Sequence, residues 1–194
     1  MPELTAVANI CRSLRGTWRL RRELNSALPG FPSGILVGTA AFTPRKPSAH
    51  SVALELLYAE EGELKTENVF TLKANRKYIY RYSADEDKIS AWFVKEPTKD
   101  RKGEEEVDYL FHDIEIEDGT DAAIGKGEHL CDKDMYWAFY QFRMPKVEEE
   151  SDEENDEEEE LKIWGLKYKV KGPQKDYTSE TAYERAHLSQ LATR

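Results

Sequence analysis

Apolar residues recur along this chain at two different spacings, and the change comes at Gly16. Before it, in ELTAVANICRSL (3–14), Leu4, Val7, Ala8, Ile10, Cys11 and Leu14 fall at the intervals that put them on one face of a short amphipathic helix. After it the interval is two. In GTWRLRREL, Trp18, Leu20, Arg22 and Leu24 share one face of an extended strand, and Thr17, Arg19, Arg21 and Glu23 share the other. Further strands read over 34–43, 51–60, 64–72, 76–83, 88–95, 107–117, 122–131, 135–144, 161–172 and 176–185. Pro44 and Pro47 stop the second strand, Glu61-Gly62 reads as a turn, and Asp132-Lys133-Asp134 reads as a hairpin tip.

Ten or eleven short strands with only a terminal helix predict an all-β fold. A helix followed by a meander favours a closed antiparallel barrel over a sandwich, and closure removes the free strand edges. A length of 194 residues suits one domain over 1–194. The high charged fraction, 34%, does not contradict this, because much of it is local. The run EEESDEENDEEEE (148–160) holds 11 of the 38 acidic side chains, and without it the net charge of −10 becomes +1. Like charges that repel and bury nothing predict a disordered loop over 146–160 between two strands. The same run offers a surface for a basic protein.

Cys11 and Cys131 belong to no CxxC pattern, and the N-terminus has neither the basic start nor the apolar stretch of a secretory signal. Reduced thiols and a cytoplasmic location are expected, with the nucleus as the alternative. No run of 18 apolar residues occurs, so no membrane-spanning helix is expected.

Three stretches, LRGTWRLRREL (14–24), GEHLCDKDMYWAFYQF (127–142) and VKGPQKDYTSETAYER (170–185), resemble an uncharacterised family of calycin-like domains. The resemblance spans about residues 14–185 and implies a lipocalin-like barrel, with no activity to carry over. Gly16-x-Trp18 is also similar to the lipocalin opening motif, in which an arginine from the end of the chain covers the tryptophan. Arg185 is the matching position here, and the resemblance gives Trp18 and Arg185 a structural role. In physical terms the indole seals the closed end and the guanidinium caps it by a cation–π contact.

Six residues stand out as candidates for contact with a ligand. His112 alternates with Leu110, Ile114 and Ile116, against Tyr109, Phe111, Asp113, Glu115 and Glu117; the acidic set must face water, so His112 is expected inside. Its alternative role is a core histidine bonded to a tyrosine hydroxyl or a carbonyl. His129 and Cys131 share a strand face beside the aromatic strand containing Tyr136, Trp137, Phe139 and Tyr140. They are a conceivable nucleophile pair, or else His129 and Asp132 fix the turn while Cys131 packs as a small apolar group. Lys175, in the Gly172-Pro173-Gln174-Lys175-Asp176 turn, can pair with a ligand carboxylate, and Asp176 can accept the turn's backbone bonds. Tyr80 lies in a ladder with Tyr78 and Tyr82 that forms either an inner wall or an outer surface.

The P-loop, GxSxG, HExxH and dinucleotide signatures are missing, and two candidate metal ligands fall short of the four of a closed zinc site. No nucleic-acid motif accompanies the basic–aromatic stretch at 76–82. The leading expectation is a barrel that holds a small apolar or amphipathic molecule, such as a fatty acid, pigment or porphyrin. The alternatives are a small isomerase, cyclase or hydrolase acting on such a molecule through His129, Cys131 and Lys175, and an interaction module that uses the acidic loop. The sequence names no cofactor.

Overall fold

A computed structural model describes residues 5–96, 105–144 and 160–186. One helix, α1 (Ala6–Ser13), precedes ten strands: β1 (Gly16–Ser26), β2 (Gly34–Arg45), β3 (Leu54–Thr66), β4 (Thr71–Ser83), β5 (Lys88–Val94), β6 (Val107–Glu117), β7 (Ala123–Cys131), β8 (Asp134–Arg143), β9 (Ile163–Lys171) and β10 (Asp176–Arg185). Each strand pairs antiparallel with its neighbours in sequence, and β1 pairs with β10, so the meander closes into a barrel. Both the all-β class and the closed order follow the alternation described above. The acidic run lies outside the described residues except for Glu160, which sits at the helix end of the barrel against Arg185.

The helix plugs the end at which β1 begins. Thr5 caps it by accepting from the Ala8 amide at 3.1 Å, and the same hydroxyl donates to Asp87 in the β4–β5 turn at 2.6 Å. Ala8, Ile10, Cys11 and Leu14 face the core. Burial pushes the Cys11 thiol up to about 12, so it stays protonated and inert. Gly16, at φ +104°, makes the turn from helix to strand in a conformation that side chains other than glycine's rarely allow.

Two expectations need correction. Glu61-Gly62 is no turn: β3 runs straight through it, and the chain reverses at 67–70 instead. Gly62 pairs with Gly38 of β2, and a Cβ added at Gly38 would lie 2.1 Å from the Glu61 carbonyl oxygen. The glycines are there because the two backbones approach closely.

The second correction concerns β6. His112 and Ile114 are buried, as the alternation requires, but Leu110 is 38% exposed while Phe111 is 5% exposed. Ala91 of β5 pairs with His112, and the next residue, Trp92, pairs with Leu110, so Phe111 is an extra residue on β6. Such a bulge reverses the faces of the residues just before it, as far as a second irregularity between Trp92 and Val94. Tyr109 therefore turns inward as well, and Leu110 turns out.

Candidate functional site

The two halves of the barrel interior are filled differently. At the helix end, Trp18, Phe42, Phe142, Trp164 and Tyr183 are fully buried. Trp164 and Tyr183 stack in parallel with ring centroids 3.8 Å apart, and Trp18 meets Trp164 edge-on at 6.1 Å. Arg185, the register partner of Trp18, places its guanidinium 4.3 Å from the indole centroid. That guanidinium also donates to the carbonyls of Leu161 at 2.9 Å, Arg15 at 2.7 Å and Ser13, closing the last turn of the helix.

Midway along the barrel sits a buried ion pair. Arg22 of β1 reaches Glu60 of β3 with both terminal nitrogens, at 2.6 and 2.7 Å, and its Nε donates to Thr181 at 2.7 Å. Tyr58 donates to the same carboxylate, and its hydroxyl lies 2.8 Å from that of Tyr183. Burial alone would raise the Glu60 pKa, but the Arg22 bonds and charge, with the Tyr58 bond, outweigh it and hold the carboxyl below its usual range. The pair is ionised and its hydrogen bonds are satisfied.

Above it, at the end away from the helix, lies a cavity of about 370 Å³. Phe111 is the centre of its wall. Its ring stacks on Tyr78 at 5.6 Å and Tyr168 at 5.9 Å, and meets Phe93 at 4.6 Å, His129 at 5.3 Å and Tyr136 at 5.9 Å. Leu24 and Ser26 of β1, Phe31 of the β1–β2 loop, Tyr109 and Tyr177 complete the aromatic and apolar part. Two cations enter the lining. Lys175 lies over the Tyr136 ring and donates to its hydroxyl at 2.7 Å. Arg76 of β4 is the register partner of Glu60 and shares its inward face. Its side chain is exposed and lines the cavity; burial acts to lower its pKa, but the neighbouring Tyr78 and Glu60 outweigh it and the pKa is raised.

His129, Cys131 and Lys175 all line this cavity. His112, Tyr80 and Tyr140 do not; they lie in the layer beneath. His112 Nε2 is 3.3 Å from the Tyr140 hydroxyl and 3.5 Å from that of Tyr168. Burial takes the His112 pKa down to about 4 and also lowers that of His129, so both imidazoles are neutral near pH 7. The tyrosine ladder faces inward: Tyr80 and Tyr82 are buried, and Tyr78 reaches the cavity wall. The lysine turn is held from outside itself. Asp134 Oδ1, not Asp176, accepts from the amides of Gln174 at 3.0 Å and Lys175 at 3.2 Å. Among the described residues no three His, Cys, Asp or Glu side chains gather to hold a metal, and no helix is long and apolar enough to cross a membrane.

Sequence reasoning missed Arg76, Phe93, Phe111 and Tyr168. For Phe111 the bulge hid the signal. Arg76 could have been found, because it alternates in phase with the tyrosine ladder and thus shares its inward face.

A closed ten-strand antiparallel barrel with a helix over one end and a cavity in the other is a calycin-like barrel. The chain belongs to the family of unknown function DUF6314, which it matches over residues 14–185. Among solved structures it is similar to an S-type phycobiliprotein lyase from Guillardia theta, with 11% identity, a TM-score of 0.58 and 94% of each chain covered. That likeness is one of fold. No curated protein matches the chain.

Proposed function

We propose that this barrel binds one small molecule with an apolar, unsaturated body in the cavity away from the helix. The Phe111-centred wall carries this reading, since six rings from separate strands surround one concave volume while the helix-end rings are fully buried against one another. A volume of about 370 Å³ lies within the range of small-molecule sites and admits one slender chain or flat ring system. A pigment, a fatty acid and a porphyrin-like ring system are the classes of that kind, and the similarity in fold to a phycobiliprotein lyase gives the pigment class its support.

Binding is favoured over catalysis by the state of the reactive groups. Lys175 is engaged with Tyr136, and no hydrogen bond joins Cys131 to His129 among the described residues. N-phenyl-1-naphthylamine, a neutral dye that brightens in apolar surroundings, tests the reading. Saturable binding of one dye per chain is expected. No saturable binding of the dye, or undiminished binding after Cys131→Trp fills the cavity, overturns it.

A further inference from the structure

The cavity lining contains two cations, Arg76 and Lys175, and no aspartate or glutamate among the described residues. The nearest interior carboxylate, Glu60, stands opposite Arg76 in the register, but both of its oxygens are bonded to Arg22 and one also to Tyr58. Asp134, beside the other cation, is occupied by the amides of Gln174 and Lys175. Arg76 makes no hydrogen bond or ion pair with a described residue, and Lys175 bonds only a neutral hydroxyl. A cationic fork among aromatic rings, with its own carboxylate neighbour committed elsewhere, is a receptor for an anion. A charge-assisted bond there is stronger than one in water, and a guanidinium engages a carboxylate with two parallel bonds.

Resting on the cavity-binding reading above, we infer that the ligand is a flat or slender unsaturated carboxylic acid, seated with its carboxylate on Arg76 and its body against Tyr78 and Phe111. Lys175, at the mouth, is the weaker second contact and draws the anion inward. The direction is fixed: the acid group points toward the Arg22–Glu60 layer and the body toward the mouth. Burial lowers the His129 pKa, which leaves Arg76 and Lys175 as the cationic side chains of the lining.

The test uses 1-pyrenebutyrate and 1-pyrenebutanol, fluorescent probes with one aromatic body that differ in carboxylate against hydroxyl. The wild-type protein should bind the acid about tenfold or more tightly than the alcohol, the size of one charge-assisted bond. Arg76→Gln should bring the two within roughly twofold by weakening the acid alone, and Arg76→Lys should keep part of the preference. Lys175→Gln should lower the acid's affinity by a smaller factor. A thermal melt of each variant confirms that the fold is retained. Equal wild-type affinities for acid and alcohol overturn the carboxylate inference and leave the cavity reading standing. So does an acid preference unchanged in a folded Arg76→Gln. Neither pyrene probe binding while the neutral naphthylamine does also overturns the inference alone, whereas failure of all three probes removes the cavity reading with it.

Discussion

The two ends of this barrel are built from similar side chains and do opposite things. At the helix end aromatic rings contact one another directly, with Trp164 flat on Tyr183 and Trp18 capped by Arg185. At the other end the rings are just as numerous, but they stand around a volume of about 370 Å³. The difference lies in the tips and the closures. At the helix end indole and phenyl rings meet directly, the one tyrosine among them, Tyr183, turns its hydroxyl to Tyr58, and a helix covers them. Tyrosines, a lysine and an arginine line the other wall, and among the described residues no helix covers it. An aromatic-rich barrel therefore need not be a filled one.

If the helix end is for stability and the cavity end for binding, substitutions at the two should separate. Trp18→Ala removes a fully buried indole and should cost about 3–5 kcal/mol, giving poorly soluble protein. Tyr136→Ala on the cavity wall, half-buried, should cost less than half as much by urea or thermal unfolding. Equal costs would erase the distinction.

The layer between the ends should respond almost as strongly. Glu60→Gln leaves Arg22 charged, buried and without its counter-charge, a change worth about 3 kcal/mol or more. Replacing both, as Arg22→Met with Glu60→Leu, should recover much of that loss, because no charge is then stranded. A double variant as unstable as the single one would mean that the pair also supports its tyrosine neighbours.

Acid should reach the layer beneath the cavity. His112 stays neutral in the fold down to about pH 4, whereas an unfolded imidazole takes up a proton near 6.5. Its contribution is therefore fully present above pH 6.5, is lost as pH falls from 6.5 toward 4, and changes no further below that. The loss amounts to about 3 kcal/mol. Unfolding free energies of wild type and His112→Gln, which lacks the titration, should converge by about that amount over this window. Parallel curves would show that His112 is accessible to protons in the folded state. The smallest effect is expected at the mouth: Cys131→Trp should change stability by no more than about 1 kcal/mol while blocking dye binding.

The two ends were unequally legible in the sequence. The barrel, its terminal helix and the Trp18–Arg185 contact followed from alternation and from one family motif, because a period of two marks every strand facing a core. Lys175, His129 and Cys131 stand out in the sequence as candidates, but that their two turns adjoin comes from the fold, through Asp134 and the amides of Gln174 and Lys175. The central ring, Phe111, was read as facing out, since one extra residue in β6 shifts the phase and leaves no trace in composition. Gly62 was misread for a related reason: a glycine that lets two strands approach closely looks the same in sequence as one that turns a chain. That Arg76 makes no hydrogen bond to a described residue is a three-dimensional property, since Glu60, its register partner, bonds Arg22 and Tyr58 instead.

The contrast between the ends is tested most directly by mapping where a ligand acts. Amide and indole NMR shifts of the protein, at 22.4 kDa, can be followed as 1-pyrenebutyrate is added. The account predicts saturating shifts at Ser26, Phe31, Arg76, Phe111, His129 and Tyr177, with the Trp18 and Trp164 indoles unmoved. Shifts that centre on those indoles, or that scatter over the outer surface without saturating, would contradict it.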